Sequence, residues 1–491
     1  MGNEVAFNTA PLSAVFRVLI ITFLFFCVST AFAQDSTPSH QTSLVADEPP
    51  LETSQHSNPR SANHSADDEL SDAQRSNIWK LEIFTHLWFL VLGATVGSFL
   101  NVVIYRLPAG RRLLGWSHCP SCNQRLRWRE NMPIIGWLRL LGRCRYCNVR
   151  IPIRYPAVEA LIAALFVVLL TTELLSGGTN LPVRAPYGYA GVVWIIWYTK
   201  WDLLGIYLFH CFLGCILIAA ALIQWDGHPL PRRLAAFAVA TGLIAPVFWR
   251  HLHPVSFHKL SLDWLTRNWR WQVDFKDPVS GWPQQFGIGL DGLLDSLAGL
   301  IAGLVVGWLI ARCLGPGAFY SSNANSEPQV EQSQPTNPQR AQIRSFCILF
   351  GMTGTFLGWQ FVAPLAISVS TIAVLLNVIG NLIGDSRWNH RATSTAIAVA
   401  VLMQLSFWRT LSTLDILPAH AGWLVLANSD WWPLTSFEPY ASLAAAVMAG
   451  CGVGLLHSFF STDEVSPDSE QLSELRAERK TCNQPLSDRF K

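Results

Sequence analysis

Four cysteines in two closely spaced pairs are the residues of this sequence best suited to chemistry. The first pair is Cys119 and Cys122, and the second pair is Cys144 and Cys147. Each Cys-x-x-Cys turn presents both sulfurs to one side, so two such turns can deliver four thiolates to one tetrahedral zinc ion. Two disulfides are the competing interpretation, and a cytoplasmic location argues against them. Because protein ligands fill all four positions, the zinc is expected to be structural.

The elements that must position these cysteines are membrane helices. Of the 491 residues 51% are apolar and 14% are charged, whereas a soluble domain carries about a quarter charged residues. The composition therefore places most of the chain in lipid. We predict an all-α polytopic membrane protein with about eight or nine transmembrane helices and a small cytoplasmic, zinc-ribbon-like module of four cysteines. The predicted spans lie near 79–104, 155–175, 202–224, 233–249, 291–312, 345–363, 365–384, 393–410 and 440–458, with a break expected at Pro364.

Charge predicts the orientation of these spans. The loop from Arg106 to Arg154 contains eleven arginines and one acid, Glu130, and loops this basic stay in the cytoplasm. The cysteine module is therefore predicted to be cytoplasmic, where its arginines can hold it against anionic lipid. Alternation of the later spans places Asp226 and Asp385 on the cytoplasmic side as well.

The N-terminal residues have the pattern of an export signal. Arg17 precedes a short apolar run at 18–28, and small residues at Ala31 and Ala33 favour cleavage before Gln34. An ordinary first membrane anchor is the alternative for residues 1–33. Residues 34–77 contain few large apolar groups, so we expect a disordered extracytoplasmic tail.

Motifs on both sides of the cysteines resemble those of a known family. Residues 97–108 read Gly-Ser-Phe-Leu-Asn-Val-Val-Ile-Tyr-Arg-Leu-Pro, residues 131–137 read Asn-Met-Pro-Ile-Ile-Gly-Trp, and residues 150–159 open the next span. In this order they resemble the N-terminal domain of bacterial prepilin peptidases, the type IV leader peptidase family of GxGD-type membrane aspartic proteases.

The resemblance implies a function, a location and two cofactors. Such enzymes remove leader peptides from type IV prepilins and type II secretion pseudopilins at the bacterial inner membrane. They carry a zinc-binding cytoplasmic domain associated with N-methylation, which requires S-adenosylmethionine. The sequence itself contains no glycine-rich nucleotide motif. Prepilin leader segments and the lipid bilayer are the partners this resemblance implies, without nucleic acid.

Asp226 takes the place of the family's first catalytic aspartate. That aspartate lies at the cytoplasmic end of a span, a few residues before a Leu-Pro step, which here is Leu230-Pro231. Two aspartates share a proton in this family, because two carboxylates held close together cannot both ionise. Asp226 could instead be a helix-ending acid beside Gly227, with Gln224 in the catalytic slot.

The family's second aspartate is missing from its usual position. It belongs to a GxGD motif ahead of a glycine-rich stretch, which survives here at 350–360. Residues 343–346 stand in place of the motif and read Ile-Arg-Ser-Phe, so Phe346 occupies the slot of the acid. Asp385, after Gly384 at the end of a later span, is the predicted substitute. A solvated helix end is the alternative for Asp385, and Asp291 and Asp295 are weaker candidates.

Three functions are compatible with these residues. The first is a prepilin-peptidase-like aspartic endopeptidase, and the second is a catalytically impaired relative that binds pilin-like helices or assembly proteins. A transporter explains the intramembrane acids but neither the cysteines nor the first-span motif. The predicted domains are a signal or anchor (1–33), a tail (34–77), a prepilin-peptidase-like N-terminal domain (78–160), a membrane domain in two parts (161–313 and 344–460), a polar linker (314–343) and a polar C-terminal tail (461–491).

Overall fold

Helices form nearly all of the regular structure in the described part of the chain. The structure is a computed structural model, which describes residues 72–119, 121–181, 190–193, 201–249, 252–253, 290–315, 338–383, 388–413, 444 and 447–456. Within these ranges there is no sheet, and the β-type pairings are isolated bridges of His118 with Arg125 and of Arg143 with Arg150. The predicted helical fold class is confirmed for these residues.

The helices follow the hydropathy of the sequence. In chain order they are α1 (Asp72–Arg106), α2 (Ile135–Arg139), α3 (Arg154–Leu169, continued by a π-helical turn at Leu170–Leu175), α4 (Trp201–Trp225), α5 (Arg232–Phe248), α6 (Leu290–Leu314), α7 (Pro338–Leu357), α8 (Val362–Ile383), α9 (Trp388–Ser406), α10 (Trp408–Thr413) and α11 (Val447–Leu456). Five described segments are long and apolar enough to cross a membrane, namely Ser76–Arg106, Arg154–Leu175, Trp201–Trp225, Gly292–Leu314 and Trp359–Gly380. Helices α5, α7 and α9 coincide with further predicted spans but are shorter or more polar.

The first of two compact units contains α1 up to Phe99, the cysteine module and α3. Its two long helices touch backbone to backbone at two glycines of α1. A β-carbon on Gly93 would lie 2.8 Å from the Ala163 Cα, and one on Gly97 would lie 2.7 Å from the Glu159 Cα. Small residues four apart permit such close packing of helices in lipid. The packing of α1 against α3 therefore fixes the helix ends between which the cysteine module lies.

The second unit contains residues 100–115, 172–188 and 200–491, and its tightest helix contact joins α6 to α7. Three glycines spaced by four residues, Gly299, Gly303 and Gly307, form one face of α6. A β-carbon on Gly299 would collide with the Gly354 carbonyl, and one on Gly303 with the Phe350 carbonyl. The stretch at 350–360 is therefore rich in glycine partly because α6 approaches it.

Polar side chains satisfy the backbone groups that helix irregularities leave open in this unit. Pro246 in α5 has no N–H for the Gly242 carbonyl, and Ser296 donates to that carbonyl at 2.8 Å instead. His253 Nε2 donates to the Thr355 carbonyl in the last turn of α7 at 2.9 Å. Burial lowers the pKa of His253 to about 4, so this imidazole is neutral and donates as a structural cap.

A buried acid and histidine pair in the same unit. Glu173 lies in the π-helical turn, and its Oε1 is 2.7 Å from His210 Nδ1 on α4, with both side chains fully buried. The Trp408 ring packs against the imidazole at an interplanar angle of 43°, with ring centroids 5.5 Å apart. An intramembrane acid is costly, and pairing is the usual way in which it is accommodated.

The break between two late helices differs from its predicted place. A break was expected at Pro364, but α7 ends at Leu357 and Gly358 adopts a φ of 89°. Pro364 lies in the first turn of α8, where a missing N–H costs nothing because the first N–H groups of a helix have no intrahelical partner.

Residues 72–77, predicted to end the disordered tail, form the first turns of α1. The predicted signal (1–33) and the predicted C-terminal tail (461–491) lie outside the described residues. So do residues 316–337 of the predicted linker (314–343), whereas its residues 338–343 belong to α7.

Candidate functional site

Each cysteine pair forms a compact knuckle, and the two knuckles match position for position. In the first knuckle the Asn123 N–H donates to the Cys119 carbonyl at 2.9 Å, and the Cys119 N–H donates to the Gln124 carbonyl at 2.9 Å. The second knuckle repeats these bonds from Asn148 to Cys144 and from Cys144 to Val149. Asn123 and Asn148 have φ values of 53° and 55°, a left-handed conformation that asparagine tolerates well. The Cys-x-x-Cys-Asn repeat is a sequence signal that the spacing of the cysteines alone does not reveal.

The four sulfurs have the separations of a metal site. Cys119 and Cys147 sulfurs are 3.8 Å apart, Cys122 and Cys144 sulfurs are 4.0 Å apart, and all four lie within 4.8 Å of one another. Sulfurs bonded to zinc at about 2.3 Å lie roughly 3.8 Å apart at tetrahedral angles. None of the four forms a disulfide. The donor set and its spacing therefore fit a structural zinc ion.

Backbone N–H groups, burial and neighbouring sulfurs shift the pKa values of the two thiols in the second knuckle in opposite directions. The backbone N–H of Cys147 is the main cause that lowers the pKa of Cys144 to about 7. The Val149 N–H lowers the pKa of Cys147, but desolvation and the other three sulfurs raise that pKa to about 12. Four neighbouring thiolates repel one another, and a bound dication would offset that repulsion.

Glu159 attaches the module to α3. In the sequence it stands out only as the last residue of the 150–159 motif. Its Oε2 accepts the Ile134 N–H at 2.6 Å, and Ile134 immediately precedes α2 with a φ of 60°. The indole N–H of Trp137 donates to the Ile151 carbonyl at 3.1 Å, which joins α2 to the segment that enters α3. No local pattern indicates the Glu159 bond, since its partners are 25 residues apart.

Asp226 is the C-cap residue of α4. The Gly227 N–H donates to the Gln224 carbonyl at 2.9 Å, and the His228 N–H donates to the Ile223 carbonyl at 3.2 Å. With Gly227 at a φ of 84°, these two bonds form a Schellman motif. Asp226 is exposed, so its carboxylate is accessible at the end of the span.

Residues 343–346, predicted to stand in place of the GxGD motif, lie beside the turn that follows Asp226. The Leu230 N–H donates to the Ser345 hydroxyl of α7 at 3.2 Å. Phe346, the residue after Ser345, is only 1% exposed and packs against Phe350 with ring centroids 5.2 Å apart. The structure thus brings the Asp226 turn to the segment that was predicted from the sequence to replace the GxGD motif, and this segment carries a buried aromatic ring.

Asp385, the predicted substitute acid, lies outside the described residues. Arg391, six residues later on α9, has its guanidinium carbon 5.2 Å from the centroid of the Trp225 ring, and Trp225 precedes Asp226. Gln224 is buried, and its amide nitrogen has no hydrogen-bond partner in the described part of the chain. Asp295 is buried in α6, next to the Ser296 cap. Of the two acids predicted to form the pair, Asp226 is therefore the one that the structure describes.

Fold and site together define a helical membrane protein whose four-cysteine module lies between two candidate spans. Residues 91–172 match the family model described as the Bacterial Peptidase A24 N-terminal domain. No solved structure matches the chain.

Relatives from three bacteria match different shares of the chain. It is 49% identical over 81 residues to a prepilin leader peptidase/N-methyltransferase of Myxococcus xanthus, covering 16% of this chain and 24% of that relative. It is 32% identical over 252 aligned positions to the protein of the same name from Dickeya chrysanthemi, covering 36% of this chain and 88% of the relative. A type 4 prepilin-like proteins leader peptide-processing enzyme of Escherichia coli is 34% identical over 183 positions, covering 33% of this chain and 57% of the relative. The chain belongs to the prepilin leader peptidase family.

Proposed function

We propose that this chain is a membrane aspartic endopeptidase that cleaves leader peptides from type IV prepilins or pseudopilins. The observation that carries the proposal is the Leu230 to Ser345 hydrogen bond, because it joins the Asp226 turn to the segment that bears the second acid in the family. The names of the relatives support the same reaction and substrates. The enzyme would act at the bacterial inner membrane, with the cysteine module in the cytoplasm and about eight or nine spans.

In the proposed mechanism Asp226 and Asp385 share one proton. The ionised carboxylate accepts a proton from water while the water oxygen attacks the scissile carbonyl carbon. The other carboxyl group gives its proton to the departing amide nitrogen. Arg391 beside Trp225 supports the pairing, because α9 begins shortly after Asp385 and approaches the end of α4. The family slot cannot supply this proton, since Phe346 has no titratable group.

The proposed organisation retains an N-terminal domain at 78–160 and a membrane domain at 161–313 and 344–460. Zinc held by Cys119, Cys122, Cys144 and Cys147 would keep the two knuckles together, and no catalytic step is assigned to it. N-methylation with S-adenosylmethionine is proposed from the names of the relatives alone, because the sequence offers no glycine-rich nucleotide motif.

A catalytically impaired relative that binds pilin-like helices is the second candidate. The observation that favours it is the burial of Phe346 in an aromatic contact. Phenylalanine has no titratable group, so the family position supplies no acid. This alternative and the first proposal differ only in whether a second acid acts beside Asp226.

Cleavage of a synthetic leader peptide by the full chain in nanodiscs tests both candidates. Activity that is lost in Asp226→Ala and in Asp385→Ala supports the relocated pair. Phe346→Asp should raise cleavage if the family slot still faces Asp226, whereas the matched variant Phe346→Asn, with no ionisable group, should not. No cleavage by a zinc-loaded wild-type chain supports the impaired relative, and cleavage that survives Asp385→Ala contradicts the role of that acid.

A further inference from the structure

The cysteine module exposes large apolar side chains around its short helix. Ile135, Leu138 and Leu141 are 50%, 56% and 84% exposed. Trp137 between them faces inward, with its ring against Gly142 and its N–H bonded to the Ile151 carbonyl. The segment therefore has one packed side and one apolar side that the first unit does not cover. Clustered exposed apolar groups of this kind mark an interaction surface.

The hydrogen bond from Ile134 to Glu159 sets the depth of this surface. Glu159 lies five residues after Arg154, where both α3 and the second candidate span begin. Five residues correspond to roughly 7.5 Å of helix rise, which is about the thickness of the headgroup layer on one side of a bilayer. The α2 helix begins beside Glu159, so its exposed side chains lie at the level of the membrane interface.

The charge around the surface selects the kind of lipid. Arg139 and Arg143, both exposed, flank Leu141. Glu130, the single acid between Arg106 and Arg154, is already engaged, since one oxygen accepts the Arg127 N–H at 3.0 Å and the other lies 3.4 Å from the Arg145 guanidinium. An apolar face bordered by unopposed arginines complements acyl chains beneath anionic phosphates.

We propose that Ile135, Leu138 and Leu141 form an interfacial anchor that inserts into the leaflet around α1 and α3. Arg139 and Arg143 bind the phosphate groups of anionic phospholipids beside it. The anchor holds the cysteine module on the membrane surface, independently of whether the chain cleaves peptides. A basic leader segment is a poor occupant of this surface, because it would face the same arginines.

Photocrosslinking of the full chain in nanodiscs containing phosphatidylglycerol tests the insertion. A photoreactive benzoylphenylalanine at position 138 or 141 should yield lipid adducts, detected by mass spectrometry, at least about fivefold more often than at the exposed knuckle position Ser121. Zinc content identifies the folded preparations. Adducts to protein in place of lipid would show that a protein partner covers the surface, and equal lipid yields at all three positions would equally overturn the proposal.

Hydrogen exchange of residues 137–143 tests the preference for anionic lipid. Exchange should be slower in phosphatidylglycerol nanodiscs than in phosphatidylcholine nanodiscs. Arg139→Gln should reduce the ratio of the two exchange rates by about fivefold, because it removes one arginine from the anionic surface. Arg125→Gln is the matched control, because it removes the same charge from a guanidinium that stacks on the Trp116 ring at 3.0 Å. Exchange that is independent of lipid charge, or equal effects of the two variants, would contradict the assigned phosphate contacts.

Discussion

Asp226 occupies a position that helix electrostatics disfavour. The last carbonyls of α4 carry partial negative charge, and an acid there costs about 0.3 to 1 kcal/mol relative to a neutral residue. The Schellman bonds around Gly227 explain why the helix ends at this point, but they require no carboxylate. The proposed catalytic role is one reason for an acid at this position.

The glycine after Asp226 should be required for stability. Gly227 has a φ of 84°, and a β-carbon there would touch nothing within 4 Å, so replacement introduces backbone strain without a clash. Gly227→Ala should lower the free energy of unfolding by about 1 to 2 kcal/mol, measured by thermal denaturation in detergent. Gly452→Ala, a helical site that is equally open, should have no such cost. Equal melting temperatures for wild type and Gly227→Ala would contradict the left-handed turn.

The zinc assignment gives a second test at single residues. Purified chain should contain one zinc ion, and Cys144→Ser should lose it, because three thiolates and a hydroxyl no longer close the tetrahedral site. The loop around the knuckles should then become sensitive to protease. Cys347→Ser on α7 is the matched control and should retain the metal. Full zinc content in Cys144→Ser, measured by atomic absorption, would exclude the four-thiolate site.

The sequence indicates some parts of the site well and others not at all. The cysteines and Asp226 stand out because short-range patterns define them, a repeated turn for the cysteines and a span end before Leu-Pro for the acid. The roles of Glu159 and of the His253 cap depend on partners 25 and 102 residues away, and no local pattern encodes such contacts. The catalytic roles of Asp226 and Asp385 both stay predictions.

At the scale of helices, the five candidate spans are predictable from the sequence because hydropathy and length define them. The break after α7 is not predictable in this way, because proline disrupts a helix interior but is accepted in the first turn of α8. Glycines spaced by four on α6 face α7, and their spacing gives no indication of which helix they contact.

The Glu173 and His210 pair should stabilise the second unit. Removing one partner leaves the other buried and unpaired, so Glu173→Leu should cost about 3 to 5 kcal/mol, measured as reduced resistance to unfolding in detergent. The double variant Glu173→Leu, His210→Phe should recover part of that loss. Arg145→Gln is the control, since it removes an ion pair with Glu130 whose arginine is exposed and should cost less than about 1 kcal/mol. A Glu173→Leu chain as stable as wild type would show that the pair contributes nothing.

At the scale of the whole molecule, the charge of one loop determines the predicted orientation. Eleven arginines against one acid between Arg106 and Arg154 predict a cytoplasmic module. The proposed export signal independently predicts an extracytoplasmic tail before α1. The two arguments use different residues, and both require α1 to enter the membrane from the extracytoplasmic side.

Reporter fusions test this orientation directly. A reporter joined after Arg125 should behave as cytoplasmic, and one joined near Ser57 as extracytoplasmic, because Ser76–Arg106 is a candidate span that separates the two positions. Green fluorescence is lost on export while alkaline phosphatase becomes active, so the two reporters give opposite signals at each site. Replacing Arg111 and Arg112 by glutamine is a control that leaves nine arginines in the loop and should not invert the chain. Identical signals at both sites would mean that α1 does not cross the membrane, and reversed signals would place Asp226 away from a cytoplasmic leader peptide.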